Sequence, residues 1–159
     1  MLPDIEGEVA FRELTRSDDD FQFSFDVKRV ALGPHIAKKW GWDERFQRDF
    51  HRRRFAEKPM YKILLDNRAI GTVSVLFAED HIRFGEFYLL PELQGRGLGT
   101  KILTHVLSLA DTRHLPVRLE YLKWNPVGSL YLRHGFQVTQ ENDIHYFLER
   151  QPQGSSARS

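Results

Sequence analysis

Cysteine is absent from the 159 residues, and that gap removes disulfide frameworks, thiolate metal sites and catalytic thiols together. No apolar run approaches the roughly eighteen residues of a membrane-crossing helix. The amino terminus, Met1-Leu2-Pro3-Asp4-Ile5-Glu6, also lacks a basic segment followed by an apolar one. The expectation is a cytoplasmic protein without a membrane partner. Neither sign of charge dominates, with Lys plus Arg at 23 against 22 for Asp plus Glu. Nothing in the balance therefore points to nucleic acid. What is present is ordinary for a globular chain in its 41% hydrophobic and 28% charged residues, and generous in its twelve Phe. The length predicts one domain with a substantial core.

Alternation over residues 8–14 predicts a first strand, and Ser17-Asp18-Asp19-Asp20 a helix start with acid in its first turn. Phe21-Gln22-Phe23-Ser24-Phe25 fits both a period of two and a helix; a helix here is expected to end at Gly33-Pro34. Trp42, Phe46 and Phe50 recur on one face of a second helix over 44–55. The runs 61–65, 69–77 and 81–90 read as an antiparallel meander stopped by Pro91. Leu98, Ile102, Val106 and Ala110 mark the next helix. A strand over 117–123, a short helix over 127–134 closed by Gly135, and a strand pair over 136–140 and 144–148 complete the pattern. Residues 1–150 are expected to form the domain, and the polar stretch 151–159 a disordered tail.

Between the third strand of the meander and the following helix lies Gln94-Gly95-Arg96-Gly97-Leu98-Gly99-Thr100. Three alternating glycines allow positive φ and a close approach of ligand to backbone. The helix start adds unpaired N–H groups and a positive dipole end, so the segment reads as a pyrophosphate cradle. It is neither G-x-x-x-x-G-K-[ST] nor G-x-G-x-x-G; it fits Q-x-x-G-x-G through Gln94, Gly97 and Gly99. With Phe87-Tyr88-Leu89-Leu90-Pro91 before it, and Asn125-Pro126 and Leu130-Tyr131-Leu132-Arg133-His134-Gly135-Phe136 after it, the chain resembles the GNAT superfamily of acyl-CoA-dependent N-acetyltransferases. The resemblance covers residues 86–136. It implies an α/β fold with one mixed, mostly antiparallel sheet of about seven strands flanked by helices, splayed at the acetyl-CoA site.

The resemblance also implies roles. Gln94, Gly95, Arg96, Gly97, Leu98, Gly99 and Thr100 would hold the acetyl-CoA pyrophosphate, with charge from Arg96 or Lys101. The main chains of Phe87 and Leu89 would pair with the pantetheine arm as an added strand. Tyr131, four residues before Gly135, matches the family's general acid for a leaving thiolate whose reference pKa is near ~8.5. Its plain alternative is a core aromatic. Asn125 matches a pantetheine contact, or serves as a helix N-cap before Pro126.

For a base, Glu120 stands first, with pairing to Arg118 or Arg83 as its alternative. Glu86 stands second, with a buried salt bridge as its alternative; His145 and Asp143 follow. Trp40, Trp42, Asp43, Phe46 and His51 could line an amine pocket, although Trp42, Phe46 and Phe50 at helical spacing equally suit a core. Arg52-Arg53-Arg54 reads as a solvated face, or as a contact to an acidic substrate or the adenosine phosphates. Together these imply direct acetyl transfer to a primary amine of a small molecule or peptide, without metal, and leave a homodimer open. A non-catalytic acyl-CoA sensor is the rival reading.

Overall fold

In the computed structural model, which describes residues 1–154, the chain runs β1 (Val9–Glu13), α1 (Asp18–Trp40), α2 (Glu44–Glu57), β2 (Met60–Leu65), β3 (Arg68–Phe77) and β4 (Ile82–Leu89). A single 3-10 turn at Pro91–Leu93 follows, then α3 (Leu98–Arg113), β5 (Val117–Leu122), α4 (Gly128–Arg133), β6 (Gln137–Glu141) and β7 (His145–Arg150). Seven strands form one sheet in the order β1-β2-β3-β4-β5-β7-β6. The β4–β5 pair is parallel, and β1–β2, β2–β3, β5–β7 and β6–β7 are antiparallel, so the expected mixed, mostly antiparallel sheet flanked by helices is the fold. The β4–β5 register pairs Ile82 with Val117 and Arg83 with Arg118.

The expected helix start at Ser17 holds: its hydroxyl accepts the Asp20 N–H at 3.2 Å, and Asp18, Asp19 and Asp20 lie at the positive dipole end. The expected stop at Gly33-Pro34 does not. α1 runs through Pro34 to Trp40 and ends at Gly41, which has φ 77° and donates to the Ala37 carbonyl at 2.9 Å. Proline costs the helix one N–H bond and a ring clash. The preceding Gly33 has no Cβ to meet the proline ring, and buried residues on both sides of the break, Leu32 and Ile36, continue the apolar face.

α2 also departs from its expected face. Phe46 is 59% exposed and stacks on Phe50 at 6.3 Å, whereas the buried residues of this helix are His51 and Phe55. Both faces satisfy a period of 3.6, and packing chose the other one.

The chain divides into two units. The first is Met1–Leu76 with Glu86–Gln94, and the second is Phe77–Gly85 with the chain from Gly95 onward; the division crosses β4 between Gly85 and Glu86. The core of the first unit is Phe21, Phe25, Phe55 and Met60, with Leu14 and Trp42 packed against it. Gly71 in β3 admits the Tyr88 carbonyl so closely that a β-carbon there would lie 2.1 Å from its oxygen.

In the second unit α3 buries Ile102, Leu103, Val106, Leu107 and Ala110. The four larger side chains among them contribute on the order of 1.5–3 kcal/mol each. Arg150, at the end of β7, grips Asp111 of α3 through two bonds of 2.8 and 3.2 Å. Of the expected tail, residues 151–154 form neither helix nor strand, and the Gln153 N–H donates to Asp111 at 2.8 Å. Residues 155–159 lie outside the described residues.

Candidate active site

In the second unit, Gly95 and Gly97 take φ of 76° and 80°, which places Gly97 in the left-handed region as the N-cap of α3. No side chain caps that helix start. Ideal β-carbons at Gly95 and Gly97 would meet nothing within 4 Å, so the backbone there is open to an approaching group. Gly99 differs from the expectation of three positive-φ glycines, because it lies inside the first helical turn, facing Leu130. Uncapped N–H groups at the positive end of a 16-residue helix form an anion cradle that suits a pyrophosphate.

Tyr131 on α4 is 5% exposed. Its ring meets Phe84 and Phe136 edge-on at 6.3 and 5.6 Å, and Tyr121 at 5.7 Å. Burial, with a smaller contribution from Tyr121, pushes its hydroxyl well above the usual tyrosine range, so the proton stays on the oxygen. The expected core-aromatic role is thus met, in a protonation state that also suits an acid.

Asn125 does not cap α4, whose N-cap is Val127. Its Oδ1 accepts the Val127 N–H at 3.1 Å in a turn ahead of the helix. Glu120 on β5 is tied to Arg83 at 2.6 Å through Oε1, and its Oε2 lies 3.9 Å from His145 Nε2. The alternative expected for Glu120, pairing with Arg83, is therefore present.

In the first unit, the most unusual titratable residue is Glu86. Its φ of 43° is left-handed, a conformation that costs a non-glycine residue about 1–3 kcal/mol. Its main-chain carbonyl accepts the Thr72 hydroxyl at 3.2 Å. The buried side chain has Lys28 Nζ 3.9 Å from Oε1 and Arg54 Nη1 3.9 Å from Oε2, and Oε1 has no hydrogen-bond partner among the described residues. Burial alone would raise this carboxyl, but Lys28, Lys58 and Arg54 together outweigh it and hold the pKa below the usual range. Burial likewise lowers Lys28, with Glu86 opposing.

His51 completes the cluster. The hydroxyl of Ser24 donates to the Phe21 carbonyl at 2.8 Å, so the 2.7 Å contact to His51 Nε2 requires the imidazole to donate. That leaves Nδ1 as an acceptor without a partner among the described residues, and burial plus the charge of Lys28 drops the pKa to about 4. The ring is neutral at pH 7.

The other expected site residues of this unit are dispersed. Trp40 is 52% exposed. Trp42 packs against the core and donates from Nε1 to Glu44 at 3.0 Å. Asp43 is the N-cap of α2, accepting the Phe46 N–H at 3.0 Å. Leu89 is buried, and its carbonyl accepts the Gln94 side chain at 3.0 Å; Phe87 is partly buried on β4.

Arg54 is a correction, since only 20% of its side chain is exposed and the Arg52-Arg53-Arg54 run is not wholly a solvated face. Lys28 does not stand out in its sequence context, where a lysine continuing the helical spacing of Phe21 and Phe25 is the available signal. Among the described residues no group of three His, Cys, Asp or Glu could hold a metal, and no helix is long and apolar enough to cross a membrane.

The chain is similar to PaiA N-acetyltransferase from Thermoplasma acidophilum, solved in complex with coenzyme A, at a TM-score of 0.70 and 18% identity, covering 90% of this chain and 98% of that one. It is similar to an acetyltransferase from Thermus thermophilus at 0.69 and 12%, covering 90% and 96%. The ribosomal-protein-S18-alanine N-acetyltransferase from Escherichia coli aligns at 0.63 and 14%, covering 90% and 93%. At these identities the likeness is one of fold. No curated protein matches the chain. The model of the acetyltransferase (GNAT) domain matches residues 57–138, which hold the meander, the glycine cradle and Tyr131. With that match extending over more than half of its length, the chain belongs to the GNAT acetyltransferase family.

Proposed function

We propose that the protein transfers an acetyl group from acetyl-CoA directly to the primary amine of a small molecule or peptide. The observation that carries this reading is the uncapped α3 start behind Gly95 and Gly97, open where a β-carbon would intrude, in a chain of this family. Residues 94–100 hold the pyrophosphate, and the backbone of Phe87 and Leu89 receives the pantetheine. The amine nitrogen attacks the thioester carbonyl; the new C–N bond forms as the C–S bond breaks, the departing sulfur takes the Tyr131 proton, and the proton shed by the acylated nitrogen restores the phenol through solvent. The ammonium proton leaves beforehand toward a carboxylate. Glu86 suits that role better than Glu120, because one Glu86 oxygen has no hydrogen-bond partner among the described residues while Glu120 is engaged by Arg83 at 2.6 Å. The absence of cysteine leaves no thiol to carry an acyl intermediate.

The test is CoA release from acetyl-CoA with amino acids, peptides, polyamines and aminoglycosides as acceptors. Turnover on one class supports the transferase. Tight acetyl-CoA binding with silence across the whole series would favour the non-catalytic sensor.

A further inference from the structure

Among the described residues, two cations from α1 and α2 meet one anion from β4. Lys28 and Arg54 each stand 3.9 Å from a different oxygen of Glu86, beyond hydrogen-bond reach. Neither side chain donates a hydrogen bond to any described residue. Both lie over the ring of Phe50, at 4.9 and 4.8 Å, so an aromatic face gathers positive charge that a single carboxylate does not balance.

Arg150 shows what a covered arginine in this chain can have. Its side chain is 8% exposed, and its fork is filled by both oxygens of Asp111. Arg54, four-fifths covered, donates no hydrogen bond to any described residue, its carboxylate neighbour Glu86 Oε2 lying 3.9 Å away. A guanidinium with five donors and no acceptor is costly to desolvate and is the group best shaped to take a carboxylate bidentately. Glu86 Oε1 and His51 Nδ1, which have no hydrogen-bond partner among the described residues, are further acceptors in this cluster, suited to the N–H groups of an amine or of a water held with it. A polyamine would instead set its further ammonium groups against Lys28 and Arg54.

Resting on the transferase reading above, we propose that the acceptor is an amine that also bears a carboxylate, as amino acids and short peptides do. Arg54 receives that carboxylate, with Lys28 supporting it, beside the amine at Glu86.

The test separates binding from turnover by using the N-acetylated forms of five amino acids of different side-chain class, each against its uncharged carboxamide. The expected result is that the parent binds at least one free acid at least about tenfold more tightly than its amide, a gap of ~1.4 kcal/mol. The preference falls to near one in Arg54→Ala and is partly kept in Arg54→Lys, while acetyl-CoA affinity stays at the parent value in both variants as a check of folding. Equal binding of acid and amide across the set, failure of every acid to bind, or a preference that survives Arg54→Ala would overturn the proposal. A retained acid preference without CoA release on any of the free amines would uphold the anion site and sink the transferase reading instead.

Discussion

Removing one oxygen from Tyr131 separates its two roles. Tyr131→Phe keeps the ring packing with Phe84, Tyr121 and Phe136, so the melting temperature should stay near the parent value. If the hydroxyl donates to the leaving sulfur, kcat falls by at least about 10²-fold with little change in acetyl-CoA affinity. Parallel CoA-release assays and thermal melts read the two effects apart.

His51 ties stability to acid. Its folded pKa of about 4 lies below the ordinary histidine value of 6.5, so the unfolded chain binds the proton more readily. Stability from the neutral ring is complete above pH 6.5 and drains away as the pH falls toward 4, by on the order of 3 kcal/mol for this 1%-exposed group. Urea midpoints measured from pH 7 to about 4.5 should fall steeply for the parent. His51→Gln retains a donor toward Ser24 and has no proton to gain, so its profile should be flatter. Position 51 was legible as a helical residue but not as a buried one, because its neutral state depends on Ser24, Lys28 and Glu86, which only the fold assembles. Lys28 and Arg54 were hidden for the same reason.

Elements set by short-range rules were read closely from the chain. Asp66 and Asn67, with φ of 50° and 65°, turn β2 into β3 where the Asp-Asn pair stands between two apolar runs. Pro34 was misleading because a local stop rule competes with burial of the face that continues beyond it. The helix tolerates that residue rather than needing it. Pro34→Ala restores an N–H donor and removes the ring clash, and should raise unfolding free energy by roughly 1 kcal/mol or more in denaturant titrations. The glycine loop carries the opposite expectation. Gly97 sits at φ 80°, where a β-carbon costs about 1–2 kcal/mol. Gly97→Ala should therefore weaken CoA binding about tenfold by calorimetry, whereas an unaltered affinity would remove the cradle from the binding site.

For the molecule as a whole, the sheet of about seven strands and its mixed pairing were legible as a consequence of family resemblance, not of periodicity. Strand patterns identify strands without ordering them. A ligand that binds only the folded chain must stabilise it. Acetyl-CoA at about a hundredfold excess over its Kd should add about 2.7 kcal/mol to unfolding, seen as a raised melting temperature with the parent and with Arg54→Ala alike. No shift at any concentration would contradict the cofactor assignment.

The last strand in the sheet order has a consequence for how the protein behaves at high concentration. β6 closes one end of the sheet, all five of its residues are exposed, and its register with β7 slips between Val138 and Gln140. A free strand edge is a template on which any extended chain can add to a growing ribbon. The slip twists that edge out of a straight ladder. The irregularity therefore works as a guard against fibrillar growth, placed at the rim of the sheet farthest in strand order from β1.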